Sequence, residues 1–388
     1  MESAHHNLDT YRSPWMDEEL DMLRDSIGRF VETEMLPNDL RWREQKYVDR
    51  AIWHRAGELG FLLMDIPEEY GGMGGDFRHE ALLYEEVSGR GISSFGQGVH
   101  SITANYLRNH GSEAQKHQWL PKLASGEMVG AIAMSEPGAG SDLRGIRTRA
   151  LRDGDHYVLN GSKIFITNGY HAGLVAVVAK TAAGQDSQSI SILMVETENL
   201  PGFKVGRVLD KIGQQGQDTT ELFFEDARVP VDCLLGGTEG QGLHQLMSDL
   251  PYERLLVAVS GVAAMERALQ LTVDYTRQRK AFGAAVLSFQ NTRFELAEIK
   301  TVTRVARTFV DCCIEQLVRG ELDTTTASMA KYWVSEMQCQ IIDRCLQLHG
   351  GYGFMKEYEI ARLYTDARVQ RIYAGTSEIM KEIISRSL

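Results

Sequence analysis

Apolar residues recur at steps of three and four through the first third of the chain. Leu20, Leu23, Ile27, Phe30 and Val31 make the first such series, the spacing of one helical face. Shorter amphipathic pieces follow at 52–63 and 79–87. Another predicted helix covers 102–107 and stops near His110-Gly111, and Ser112-Glu113 opens one more that ends around Gly126. From Val129 the pattern changes. Short apolar or alternating runs at 157–159, 164–167, 175–179, 190–195 and 222–224 are punctuated by Gly, Asn and Asp, which predicts a compact series of strands. Asn160-Gly161 reads as a hairpin turn. After it, Ile164 and Ile166 fall on one side of a strand, Phe165 and Thr167 on the other. Pro201-Gly202 and 225–230 read as turns, and the strands end near Gly236-Gly237.

Beyond Gly240 the period is helical again, and the helices are long. One stripe is Leu255, Leu256, Val259, Val262, Ala263 and Leu269. A second is Leu296, Ile299, Val302, Ala306, Phe309 and Cys313, and a third Met329, Trp333, Met337, Ile341 and Leu348, with a shorter helix at 377–387. Such stripes must be buried against one another. The expectation is an α+β multidomain chain: an N-terminal α-helical domain (1–128), a central β-barrel or sandwich (129–238) and a C-terminal four-helix bundle (239–388).

Composition narrows the class. The 388 residues, 43% hydrophobic and 24% charged, suffice for two or three domains with substantial cores. A net charge of −12 argues against nucleic acid or an anionic membrane as the main partner. No apolar run is read as spanning a bilayer, so stable membrane insertion is not expected. The first residues show neither a signal-peptide core nor an Arg-rich transit pattern, which predicts a bacterial cytoplasmic setting. Five cysteines, an odd number with no C-x-x-C pair, oppose a disulfide framework. Cys312, Cys313, Cys339 and Cys345 are expected as core thiols on helices. His5-His6 reads as a disordered tail, and no metal site is expected.

The candidate chemistry begins at 131–142, A-I-A-M-S-E-P-G-A-G-S-D. A strand-like run breaks at Glu136-Pro137-Gly138. Gly138 and Gly140 allow φ > 0 or a close approach to a flat ligand, and Pro137 stiffens the turn. A second stretch, N-G-S-K-I-F-I-T-N-G at 160–169, follows a strand's length later. Together they resemble the signatures of the acyl-CoA dehydrogenase family of flavoproteins, whose first signature is matched throughout 133–142. A P-E-x-Y-G-G run at 67–72 strengthens the resemblance, which covers nearly the whole chain. The resemblance implies FAD as cofactor. It places Ile132, Ala133, Met134, Ser135, Gly140 and Ser141 along the flavin ring, Ser141 also touching acyl-CoA, with Phe165, Ile166 and Thr167 beside them. Phe165 stands where the family commonly has Trp, which removes an indole donor. The R-x-A-F-G run after Tyr275 implies that Arg279 and Gln290 contact the diphosphate and adenylate half, where an Arg fork suits a diphosphate. Gln347, Leu348, His349, Gly350 and Gly351 resemble a cofactor loop that often reaches a neighbouring subunit's flavin. Thr376, Ser377 and Glu378 match further flavin positions. A helix N-cap at Thr376 or Ser377 and a helix C-cap at Gly350-Gly351 explain the same residues without a ligand.

Most members of the family carry the catalytic Glu just before a terminal Gly-Thr; this chain has Ala374 there, before Gly375. A smaller group, including isovaleryl-CoA and long-chain acyl-CoA dehydrogenases, carries it on a bundle helix instead. The run L-P-Y-E-R-L-L at 250–256 is similar to that group's helix, so Glu253 is implied as the base. Arg254, Pro251, Tyr252, Ala374 and Gly375 become active-site neighbours. The residues at 83–101 with Tyr252 are expected to shape the acyl tunnel, and His244, Ser187 and Gln188 align loosely with substrate contacts. The implied reaction introduces a trans-2,3 double bond into a branched or medium- to long-chain acyl-CoA, a citronellyl-type thioester included. Electrons are expected to pass to an electron-transferring flavoprotein, and a homotetramer is expected. The rival classes are an oxygen-using flavin oxidase or monooxygenase on the same fold and a catalytically silent flavoprotein.

Overall fold

The computed structural model describes residues 11–182 and 189–388; His5, His6, Ser187 and Gln188 lie outside them. The N-terminal helices are α1 (Glu18–Phe30), α2 (Asp39–Gln45), α3 (Arg50–Glu58), α4 (Phe77–Ser88), α5 (Gln97–His110) and α6 (Glu113–Ala124). Their starts follow local chemistry. Asp17 accepts from the Leu20 amide, and Asp76/His79 and Ser112/Gln115 form reciprocal capping boxes. The helix expected over 52–63 ends at Glu58, because Gly60 turns the chain at positive φ. His100 locks α5 in place. Its Nδ1 accepts from the Gly130 amide at 3.0 Å, and its Nε2 donates to the Leu123 carbonyl at 3.1 Å. Burial pulls its pKa down to about 4, which keeps the ring neutral as both bonds require.

The strands are β1 (Gly130–Ala133), β2 (Arg149–Asp153), β3 (His156–Thr167), β4 (Leu174–Lys180), β5 (Ile190–Glu196), β6 (Phe203–Val208) and β7 (Thr219–Pro230). Among the described residues they make one curled sheet. β5 runs antiparallel along one edge of β4, while β1 and then β2 share its other edge in parallel. From β2 the sheet continues through β3, β7 and β6, each antiparallel to the last. Both faces are covered, so β4 and β5 are apolar apart from Ser191 and the terminal Lys180 and Glu196. Val175, Val177, Leu193 and Val195 enter the sheet's own interior, with Leu159, Leu222 and Phe224. Leu174, Ala176, Ile192 and Met194 join the helical core.

Three strand expectations need correction. Asn160-Gly161 is not a turn: β3 runs through it, with a one-residue slip against β7. A Cβ on Gly161 would lie 2.3 Å from Thr148 Oγ1, so the glycine marks a close approach, opposite the bulge that β7 carries at 225–226. Residues 225–230 continue β7, where 227–230 pair with β3. The alternation expected over 164–167 is interrupted, because Phe165 sits at φ 63° within a second register slip.

The C-terminal part holds α7 (Gly242–Gln278), a tight hairpin of β8 (Lys280–Ala281) and β9 (Ala284–Ala285), α8 (Gln290–Val318), α9 (Thr324–His349), α10 (Glu359–Ala367) and α11 (Ser377–Ser385). α10, absent from the sequence expectation, packs on α9 and α7, and α11 packs on α9. The stripe expected on α9 is displaced. Its buried face holds Ala327, Ala330, Val334, Ile341, Ile342 and Cys345, while Met329 is exposed and Trp333 and Met337 are half-buried. Cys312 is exposed rather than a core thiol. α7, contrary to expectation, is long and apolar enough to cross a membrane, but 67% of its most apolar window is buried. It packs against α4, α8 and α9, and a helix surrounded by neighbours is apolar on all sides.

Candidate active site

Glu253 lies on α7, two residues after Pro251, which is tolerated inside that helix. Its carboxylate is buried. Tyr106 on α5 donates its phenol hydrogen to Glu253 Oε1 at 2.5 Å. One turn earlier on α7, Asp249 Oδ1 accepts from Asn109 Nδ2 at 2.7 Å, and His110 Nε2 lies 3.2 Å from its Oδ2. Burial pushes the Glu253 pKa up to about 7. Asp249 pushes the same way, against Tyr106 and Arg254. The group is therefore poised near neutrality, as a general base should be.

Arg254 and Tyr252 are also buried, and Tyr252 packs edge-on to Phe77 at 5.2 Å. Arg254 turns to α9, donating to Ser328 Oγ at 2.9 Å. One turn on, the buried Lys331 donates to the Gly375 carbonyl at 2.5 Å, and burial pulls its pKa down to about 8. A single turn of α9 thus holds both Arg254 and the loop of Ala374 and Gly375. Ala374 and Gly375 take φ of 51° and 90°. For alanine that conformation is strained, and such strain concentrates at active sites. Thr376 caps α11, accepting from the Ile379 amide at 3.3 Å. The Ser377 hydroxyl is committed to Glu336 at 2.7 Å, and Glu378 is exposed.

The second cluster is at the sheet. Ser135, just past β1, accepts from the Ile164 amide at 3.0 Å, which sets the 131–142 loop beside the Phe165 bulge. Glu136 ties that loop down. It accepts from the Arg147 and Thr148 amides at 2.6 and 3.0 Å and from Lys163 Nζ at 2.8 Å. Gly138 and Gly140 do not use positive φ, contrary to expectation, and a Cβ on either meets open space. The loop presents an open face, with Ser141 and Gly140 exposed and Ile132, Met134, Ser135 and Thr167 half-buried. Ala133 and Ile166 belong to the sheet's interior, so only their backbones can face a ligand. Phe165 is 66% exposed.

The third cluster is at the far end of α7 and α9. Arg279, Gln347, Leu348, His349, Gly350 and Gly351 line one groove of about 510 Å³ with Tyr275 and Tyr352. Arg279 lies 5.5 Å from the Tyr352 ring centre, and His349 stacks on Tyr275 at 4.4 Å. Gln290 is exposed at the start of α8. A guanidinium, carboxamides and open glycine backbone suit a dinucleotide's diphosphate, so the donor set fits FAD. This cluster is not beside Glu253. Arg279 caps α7 twenty-six residues beyond it, roughly 39 Å at 1.5 Å per residue. His244 is exposed, nine residues before Glu253 on the same helix, roughly 13 Å away.

Three residues of this arrangement were missed in the sequence, two of them without any recognisable signal. Tyr106 meets Glu253 from 147 positions away. Lys163 falls in a matched stretch, but nothing in that stretch names Glu136 as its partner. Lys331 left one trace: it sits between Ala327 and Val334 on α9's buried face, where a lysine must have a partner.

Family models match along the whole arrangement: acyl-CoA dehydrogenase N-terminal domain at 17–127, middle domain at 131–227 and C-terminal domain at 240–388. The chain is 47% identical over 373 residues to the mitochondrial long-chain specific acyl-CoA dehydrogenase of Sus scrofa, covering 95% of this chain and 86% of that protein. It is 36% identical to the mitochondrial isovaleryl-CoA dehydrogenase of Oryza sativa, covering 96% and 91%. The crystal structure of acyl-CoA dehydrogenase from Geobacillus kaustophilus superposes with a TM-score of 0.94 at 46% identity, covering 97% and 99%. Fold, site and relatives agree: the chain belongs to the acyl-CoA dehydrogenase family and is an FAD-dependent oxidoreductase.

Proposed function

We propose that this enzyme forms the trans-2,3 double bond of long-chain acyl-CoA thioesters, with Glu253 as the base. The observation that carries the reading is a buried carboxylate poised near neutral pH, in a chain whose terminal loop offers Ala374 instead of a carboxylate. Bound FAD supplies the hydride acceptor for the β-carbon. Glu253 takes the α-proton inside a site from which water is excluded. The Ala374 backbone N–H serves the thioester oxygen, where negative charge develops. Arg254 and Lys331 hold the base's helix and this loop to the same turn of α9. Ser141 and Thr167 at the sheet's open face orient the flavin edge, and Phe165 covers it. Arg279, Gln290 and the 347–351 segment serve the diphosphate and adenylate half in a neighbouring copy of a tetramer. Electrons pass to an electron-transferring flavoprotein, the family's usual acceptor.

The substrate class rests on the 47% identity to a relative named for long chains. Anaerobic bleaching of the flavin-loaded protein tests it. Dodecanoyl to hexadecanoyl thioesters should bleach fastest, and Glu253→Gln should bleach roughly 10²–10⁴-fold slower. Faster bleaching by isovaleryl or citronellyl thioesters overturns the long-chain assignment. Equal bleaching by Glu253→Gln overturns the base, and bleaching by none of them overturns the dehydrogenase reading.

A further inference from the structure

Tyr106 belongs to none of the stretches that carry the family resemblance, yet its side chain is the one hydrogen-bonded to Glu253 among the described residues. We infer that Tyr106 is a positioning residue for proton abstraction: its phenol clamps Oε1 of Glu253, leaves Oε2 as the proton-accepting oxygen, and keeps the buried carboxylate charged. The inference rests on Glu253 being the base.

The geometry is that of a charge-assisted bond. At 2.5 Å it lies in the range of O–H donors to carboxylates, and both residues are buried. The helix register holds it there. Tyr106, Asn109 and His110 lie at i, i+3 and i+4 on α5, and they meet Glu253 and Asp249, four apart on α7. With Asn109 bonded to Asp249, the phenol cannot slide along α7 without breaking a second contact. A phenol also suits the task because it keeps its own proton: burial first, then Glu253, push its pKa well above the ordinary value.

The other charged groups around Glu253 leave this work to Tyr106. Asp249, one turn away, opposes a second negative charge and is itself paired with His110. Arg254 favours the carboxylate, but its guanidinium donates to Ser328. Lys331 on α9 lies beyond Arg254 and donates to Gly375. On the far side of Tyr252, Asp65 pairs with Arg108 at 3.1 Å. Its neighbour Glu80 accepts from the Met64 amide and Ser101, and burial pushes Glu80 up to about 8. In the reaction the α-carbon's C–H bond breaks: its proton goes to Oε2 and its electron pair becomes the π bond to the β-carbon as the β-hydride leaves to the acceptor that bound FAD would supply, while Oε1 stays bonded to the phenol.

The test is Tyr106→Phe in the flavin-loaded enzyme with a long-chain acyl-CoA, run across pH with Glu253→Gln alongside. The acid limb of kcat/KM should move up by about one pH unit, the weight of one bond to a charged group. The loss should be about five- to tenfold near pH 7 and largely recovered near pH 9, with KM changed less than about twofold. The protonated-carboxyl infrared band of Glu253, assigned by its disappearance in Glu253→Gln, should titrate about one unit higher as well. That titration needs only a folded chain, so it decides even if the Phe variant loads flavin poorly. An unmoved band, or a loss equal at every pH, overturns the inference and leaves Tyr106 a packing role. Full activity in Glu253→Gln overturns the base assignment instead, wherever the band moves.

Discussion

Glu253, the proposed base, sits where its charged form costs stability. Its carboxyl titrates at 4.5 in an ordinary setting and near about 7 when folded, chiefly through burial. Between those values the folded chain holds the proton more tightly than the unfolded chain. Stability therefore falls as pH rises through the window, and the full cost, roughly 3 kcal/mol, applies above it. Glu253→Gln should slow turnover roughly 10²–10⁴-fold while raising stability near pH 8 by roughly 2–3 kcal/mol, with almost no gain near pH 4. Urea melts of the same pair of proteins at both pH values measure this. A gain equal at the two pH values would show that the carboxylate's ionisation is not the source. Glu253 was legible as a candidate base because two departures in the chain explain each other, Ala374 in the terminal loop and Glu253 on the helix. Tyr106 was not, because a contact across 147 positions leaves no periodicity or spacing to read.

Asn168 joins the N-terminal helices to the sheet, directly after the half-buried Thr167. Its side-chain amide donates to the carbonyls of Gly96 and Gly130 at 2.8 and 3.0 Å, tying the start of α5 to β1. It also takes φ of 64°, which asparagine tolerates better than alanine. Asn168→Ala removes two buried hydrogen bonds and adds backbone strain, a loss of roughly 2–4 kcal/mol. The unfolding midpoint should fall, and flavin should leave at a lower temperature than in wild type. An unchanged midpoint would show that the joint is held elsewhere. Such joints explain which parts of the fold could be read in advance. α7 was plain because its buried face is mostly apolar, whereas α8 buries Thr303, Arg307 and Asp311 and leaves Val302 and Phe309 of the expected stripe half-buried. α9 was misplaced because Lys331, Ser335 and Gln338 lie on its buried face, so the hydrophobic count moved to the half-buried Trp333 and Met337. The Asn160-Gly161 signal was real local chemistry, but it served a close approach, because Thr148 crowds Gly161 from another segment. Local propensity cannot register that kind of neighbour.

α7 sets the scale of the whole enzyme. The proposed base, Glu253, lies eleven residues after its start at Gly242, and the diphosphate-binding candidate Arg279 caps its end. At roughly 39 Å apart along a rigid rod, Glu253 and Arg279 of one chain are too far apart to serve one site, the first as base at the substrate and the second at the diphosphate of the same flavin. Under the proposed assembly each site takes its base from one copy and its Arg279 from another, and this makes a prediction that no single-chain site shares. Glu253→Gln and Arg279→Glu should each be nearly inactive alone, the second through lost flavin. Co-expressed, they should recover activity. With random pairing half of the pairs are mixed, and in each mixed pair one site combines an intact Glu253 with an intact Arg279. Roughly a quarter of all sites should then turn over, and flavin content should rise with activity when the mixed species is isolated by differential tags. Activity no greater than the two parents contribute separately would mean that Arg279 does not serve a neighbour's flavin. Recovery near one quarter fits exchange between two copies, because defects confined to one chain's own site cannot complement each other.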